Sequence, residues 1–124
     1  MSAELNHHIV QCRDGKASAE FLAAMLGRPG PRLFEPFHAV DLDNGVSLDF
    51  HGGYENVAPH HYAFLIGEAD FDAVLDRIRA QGLEHWADPM RRRPGEVNAI
   101  AGGRGVYFCD PNGHFMEVLT RSHA

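Results

Sequence analysis

The residues of this chain with chemical reach are its histidines and two carboxylates. Nine of the 124 residues are His, a density that points to metal or proton chemistry. Four of them form adjacent pairs, His7-His8 and His60-His61. Two acids stand in matched surroundings: Asp49 and Glu117 each lie five positions after the Asn of an Asn-Gly step, at Asn44-Gly45 and Asn112-Gly113. In both places the acid sits between apolar residues, as Leu48-Asp49-Phe50 and Met116-Glu117-Val118. Imidazole nitrogens and carboxylate oxygens brought together suit a divalent cation (Fe, Mn, Zn, Ni or Co) with positions left open. The plainer alternative is ion pairs or hydrogen bonds among the same groups.

These matched residues mark two copies of one unit, module one at about 1–56 and module two at about 57–124. Copies of roughly 60 residues bury marginal cores alone, so they are expected to pack together. Residues 5–12 read as a strand, and Ala17 to Leu26 as a helix stopping at Gly27. Residues 37–42 and 46–51 flank Asp43-Asn44-Gly45, a hairpin signal. Residues 61–66 are a strand. Residues 70–81 are the best helix, with Phe71, Val74, Leu75 and Ile78 at i, i+3, i+4 and i+7 and Gly82 at its end. Residues 88–95 read as a loop, and 105–109 and 114–120 as strands around Asp110-Pro111-Asn112-Gly113. The predicted order is βαβββ twice, an α+β chain, with the second strand of each copy faint.

Strand parity then sorts the side chains, because alternate residues share a face. Val10, Cys12, Leu48, Phe50, Tyr62, Phe64, Ile66, Met116 and Val118 are assigned to the faces covered by helices. That leaves His7, Ile9, Ser47, Asp49, His51, His61, Phe115 and Glu117 on the concave faces. His8 falls on the helix side. Tyr107 and Cys109 share a face opposite Val106 and Phe108. The concave side is thus expected to collect His7, Asp49, His61 and Glu117. His38, His85, His114 and His123 are expected at the surface or at strand ends.

Composition narrows the partners. Eleven Lys+Arg against seventeen Asp+Glu give a net charge of -6, which argues against nucleic acid and anionic membranes as partners. No apolar run approaches the roughly 18 residues of a membrane span, and mean hydropathy is -0.28. MSAELNHH lacks the basic and apolar regions of a secretory signal. Two cysteines, Cys12 and Cys109, are too few for a disulfide framework. A reduced cytoplasmic protein with a small-molecule partner is the expectation.

Three stretches resemble the vicinal oxygen chelate superfamily, which includes glyoxalase I, extradiol dioxygenases, fosfomycin-resistance thiol transferases and bleomycin-binding proteins. Leu5-Asn6-His7-His8-Ile9-Val10 is similar to its first strand, and His61-Tyr62-Ala63-Phe64 to the strand opening the second module. Gly105 through Glu117 resembles its final hairpin, which ends in a metal-binding glutamate. The resemblance implies paired βαβββ modules forming a cup-shaped, barrel-like mixed sheet with helices outside. It implies His7, His61 and Glu117 as metal ligands, and Asp49 as a fourth ligand or base. It also implies a homodimer whose cups mix modules from two chains.

Within the superfamily the residues favour some branches over others. Asp49 stands where glyoxalase-like members carry a longer acid; pairing with His51 is its plainer role. The extradiol pattern places a histidine before the tyrosine, and Asn98-Ala99-Ile100-Ala101 has none. Fosfomycin transferases carry a threonine where Ile9 stands, and Arg91-Arg92-Arg93 reads as a solvated loop. Tyr107 and His51 are assigned catalytic roles, and Arg104, between Gly103 and Gly105, a substrate-binding one. The expected function is a divalent-metal-dependent enzyme of the glyoxalase or dioxygenase type, a lyase, isomerase or dioxygenase, acting on a small oxygen-rich substrate. The alternatives are a metal-free, bleomycin-resistance-like drug-binding protein and a thiol transferase of the fosfomycin-resistance type.

Overall fold

A computed structural model describes residues 1–123 of the chain. Residues Met1–Ala58 form one compact unit, and a second begins at Pro59. The first unit runs β1 (His7–Gln11), α1 (Gly15–Met25), β2 (Arg32–Phe34), β3 (Phe37–Asp41) and β4 (Ser47–His51). The second runs β5 (His61–Leu65), α2 (Glu68–Ala80), β6 (His85–Trp86), β7 (Gly105–Cys109) and β8 (Phe115–Leu119). The sheets have orders β1-β4-β3-β2 and β5-β8-β7-β6, which are the same order repeated. In each, the first strand is parallel to the last and the other neighbours are antiparallel. The fold is α+β, with βαβββ twice. The described residues form two four-stranded sheets rather than one continuous sheet.

The faint second strands are real but short, three residues for β2 and two for β6. The Asn-Gly turns are equivalent: Gly45 has φ +81 and Gly113 φ +88, a left-handed conformation that glycine adopts without steric cost. In the second turn Asp110 Oδ1 also accepts from the amides of Asn112, at 3.0 Å, and His114, at 2.8 Å.

The helices cover the faces that parity assigned to them. In the first unit Val10, Cys12, Leu22, Met25 and Phe50 are fully buried. In the second, α2 buries Phe71, Val74, Leu75 and Ile78, and Val106, Phe108, Met116 and Val118 are buried with them. Asp14 starts α1 by accepting from Ala17 N at 3.0 Å. No side chain caps α2, but Glu68 and Asp70 in its first turn and Arg77 and Arg79 in its last oppose its dipole. Among the described residues no helix is long and apolar enough to cross a membrane.

Candidate functional site

In the second unit, register brings together residues far apart in sequence. Ala63 of β5 lies beside Glu117 of β8, and Tyr107 of β7 lies across from Glu117 on the other side. Trp86 of β6 is in turn opposite Tyr107. His61, Phe115, Glu117, Tyr107 and Trp86 therefore share the sheet face away from α2. His61 Nε2 is 3.1 Å from Glu117 Oε1. The imidazole also stacks on Tyr107, with ring centres 5.9 Å apart, and leans on Phe115 at 5.7 Å. His61 is exposed while Glu117 is 4% exposed.

The carboxylate is incompletely satisfied. Glu117 Oε2 is buried and has no hydrogen-bond partner, which costs free energy unless something charged or donating meets it. Burial and the negative charge of Glu117 push the Tyr107 hydroxyl up to about 12. Tyr107 therefore keeps its proton through the physiological range and can donate it in a hydrogen bond. An imidazole nitrogen beside a carboxylate whose other oxygen has no partner fits a divalent cation. Among the described residues, no three His, Cys, Asp or Glu side chains gather as an ion site. His61 and Glu117 are two side chains that could hold such an ion.

The other sequence-assigned residues of the first unit lie on one face of its own sheet. His7 is opposite Ser47, and Ile9 opposite Asp49, across β1 and β4. His7 is exposed, its Nδ1 2.8 Å from Asn6 Oδ1. Asp49 is half-buried and accepts from the Ser47 hydroxyl, two residues along its own strand. His51 instead pairs through Nδ1 with the Tyr54 hydroxyl at 3.1 Å, its ring edge-on to Phe37.

Arg104 has a structural setting. It pairs with Glu68 at 2.9 Å and Asp72 at 2.8 Å, its guanidinium 4.5 Å from the centre of the Phe71 ring. Its side chain is committed to α2, because position 104 alternates with Gly105 and so falls on the helix side. His114 stands at a strand end, directly before β8, and is fully buried there, its Nδ1 accepting from His60 N at 3.0 Å. A histidine can be buried this way because its unprotonated nitrogen accepts like a carbonyl. Trp86 escaped the sequence analysis, and Arg91, expected in a solvated loop, has its guanidinium 4.9 Å from the Trp86 ring centre and 4.8 Å from that of Phe115. The one signal was the chain's single tryptophan ahead of an arginine run.

The description of the Glyoxalase/Bleomycin resistance protein/Dioxygenase superfamily matches residues 4–118. The chain belongs to that superfamily. Its solved relative oxidase ChaP-H1 is 56% identical over 99% of both chains and superposes with a TM-score of 0.97. The glutathione transferase FosA of Serratia marcescens is 27% identical over 130 residues, covering 100% of this chain and 85% of its own. The metallothiol transferase FosB of Shouchella clausii is 42% identical over 62 residues, 48% of this chain and 37% of its own. The superfamily relatives are thus named as enzymes, one an oxidase and two transferases.

Proposed function

We propose that this superfamily member is a divalent-metal-dependent enzyme acting on a small oxygen-rich substrate, with oxidation of that substrate by dioxygen, the electron acceptor, as the reaction class. The observation that carries the metal is the buried, hydrogen-bond-free Oε2 of Glu117 beside His61. The likeness to an oxidase over nearly the whole chain supports the reaction class. In this reading His61 and Glu117 are joined by His7 as ligands, and Asp49 is a fourth ligand or a base. A bound ion supplies Lewis acidity, stabilising negative charge that develops on a substrate oxygen. Tyr107, protonated below about 12, donates a hydrogen bond to a substrate oxygen beside the pair. His51, held by Tyr54, is poised to move a proton on the first unit's face. The stacked rings of Tyr107 and Phe115, 5.4 Å apart, keep bulk water from one side of Glu117.

A thiol transferase is the second reading, favoured by the full-length likeness to a glutathione transferase. Ile9 stands against it, where the fosfomycin enzymes carry a threonine. One set of measurements on protein purified without chelator separates these readings. Elemental analysis should find a stoichiometric divalent transition metal, lowered at least about tenfold in Glu117→Gln, as for a lost carboxylate ligand, and unchanged in His8→Ala. Unchanged metal in Glu117→Gln sinks the site. Substrate-dependent oxygen uptake supports the oxidase class, and glutathione consumption without oxygen uptake the transferase.

A further inference from the structure

We propose that Arg91 is a specificity-determining residue that binds an anionic oxygen of the substrate, a carboxylate or an ionised enol; this rests on the His61–Glu117 face being the substrate face. Its guanidinium lies over both Trp86 and Phe115. Phe115 in turn leans on His61, so the cation stands one ring away from the metal-binding pair. A guanidinium stacked on rings keeps its N–H edge free to grip a carboxylate with two hydrogen bonds.

Among the described residues the charge has no carboxylate to neutralise it. Arg28, Arg32, Arg93 and Arg104 each pair with an acid. Among the described residues no carboxylate lies within ion-pair distance of Arg91, whose Nη2 donates instead to Cys109 Sγ at 3.5 Å. A thiol is a weak acceptor, and burial above all keeps Cys109 protonated, against the opposing pull of Arg91.

The loop also holds Arg91 in a costly conformation. Its φ is +60, a left-handed value that costs a non-glycine residue roughly 1 kcal/mol and recurs at ligand sites. Asp88 enforces it. The Asp88 carboxylate accepts from the amides of Arg92 and Arg93, both at 2.9 Å, and its carbonyl accepts from Arg91 N at 3.2 Å. Burial pushes the Asp88 carboxyl up, but these amides outweigh it and hold it below its ordinary value. The loop closes against β6 through Ala87 N to Arg93 O at 3.1 Å. Much of the entropy of ordering a long side chain is therefore spent before a ligand arrives.

The test uses the full chain, labelled with 15N and freed of metal by chelator. Trp86 is its one tryptophan, so the single indole N–H signal reports on the platform under Arg91. Benzoate and its neutral isostere benzamide are titrated separately. Benzoate should bind at least about tenfold tighter, the worth of a charge-assisted pair. Arg91→Gln should erase that preference, Arg91→Lys should keep part of it, and Arg93→Gln, whose charge is already paired with Glu96, should leave it intact. Equal binding of the two probes, an unmoved indole signal, or a preference that survives Arg91→Gln overturns the proposal. Loss of the preference in Arg93→Gln but not in Arg91→Gln also overturns it, and assigns the anion to a neighbouring cation of the loop. If Arg91→Gln does not fold, Arg91→Lys decides, an undiminished preference overturning the proposal. The metal content of Glu117→Gln fails or holds independently, since these titrations contain no metal.

Discussion

Glu117 governs its neighbours through charge. Its carboxylate has one oxygen on His61 and one buried without a hydrogen bond, and its charge adds to burial in raising Tyr107 to about 12. Glu117→Gln removes the charge and leaves the burial. Tyr107 should then titrate below its present value yet above the ordinary tyrosine value of about 10. Absorbance titration of the three tyrosines, with Tyr107→Phe identifying the late one, checks this; an unchanged late titration shows that the charge plays no part. The sign of the stability effect follows. The unfolded chain loses the tyrosine proton first, near pH 10, while the folded chain holds it to about pH 12. Folding stability therefore falls as pH rises through that window.

At the scale of elements, the first unit depends on a close approach between the start of α1 and the end of β4. A Cβ on Gly15 would stand 2.9 Å from Gly52 N and 3.1 Å from the carbonyl carbon of His51. Backbone on both sides leaves no flexible side chain to yield. Gly15→Ala should cost roughly 1–3 kcal/mol and shift the strand end that carries His51. Gly30→Ala is the control, for nothing lies within 4 Å of that position, and its effect should stay within about 0.5 kcal/mol. Urea unfolding of both variants checks the pair, and equal midpoints would show that the approach is not tight in solution.

For the whole molecule, two units with the same strand order each carry part of the proposed ligand set, His7 in the first and His61 and Glu117 in the second. Resemblance to the superfamily supplies the proposal that the chain is a homodimer whose sites mix modules from two chains. A heterodimer of His7→Ala and Glu117→Gln chains, isolated through separate tags, then has one site with both lesions and one with none. Half of wild-type metal per dimer is expected, once sedimentation has shown a dimer. Metal no higher than in the single-variant homodimers shows that each site is built within one chain.

Much of this was legible in the sequence because its signals are local. The apolar spacing of 70–81 predicts a helix, and α2 buries those four residues. Two-residue alternation put His61 and Glu117 on one face, and register holds them there. Alternation says which face a side chain takes but not which neighbour it meets. Asp49 and His51 share a face as expected, yet Asp49 takes the Ser47 hydroxyl and His51 takes Tyr54. The sequence assigns Arg104 to the substrate and Arg91 to a solvated loop. Tertiary structure set one against the acids of α2 and the other on Trp86 and Phe115. Local periodicity is written in consecutive residues, so the sequence alone determined the repeat, the elements and the faces. Partners for long polar side chains depend on strands that register joins from distant parts of the chain, and only the folded structure decides those.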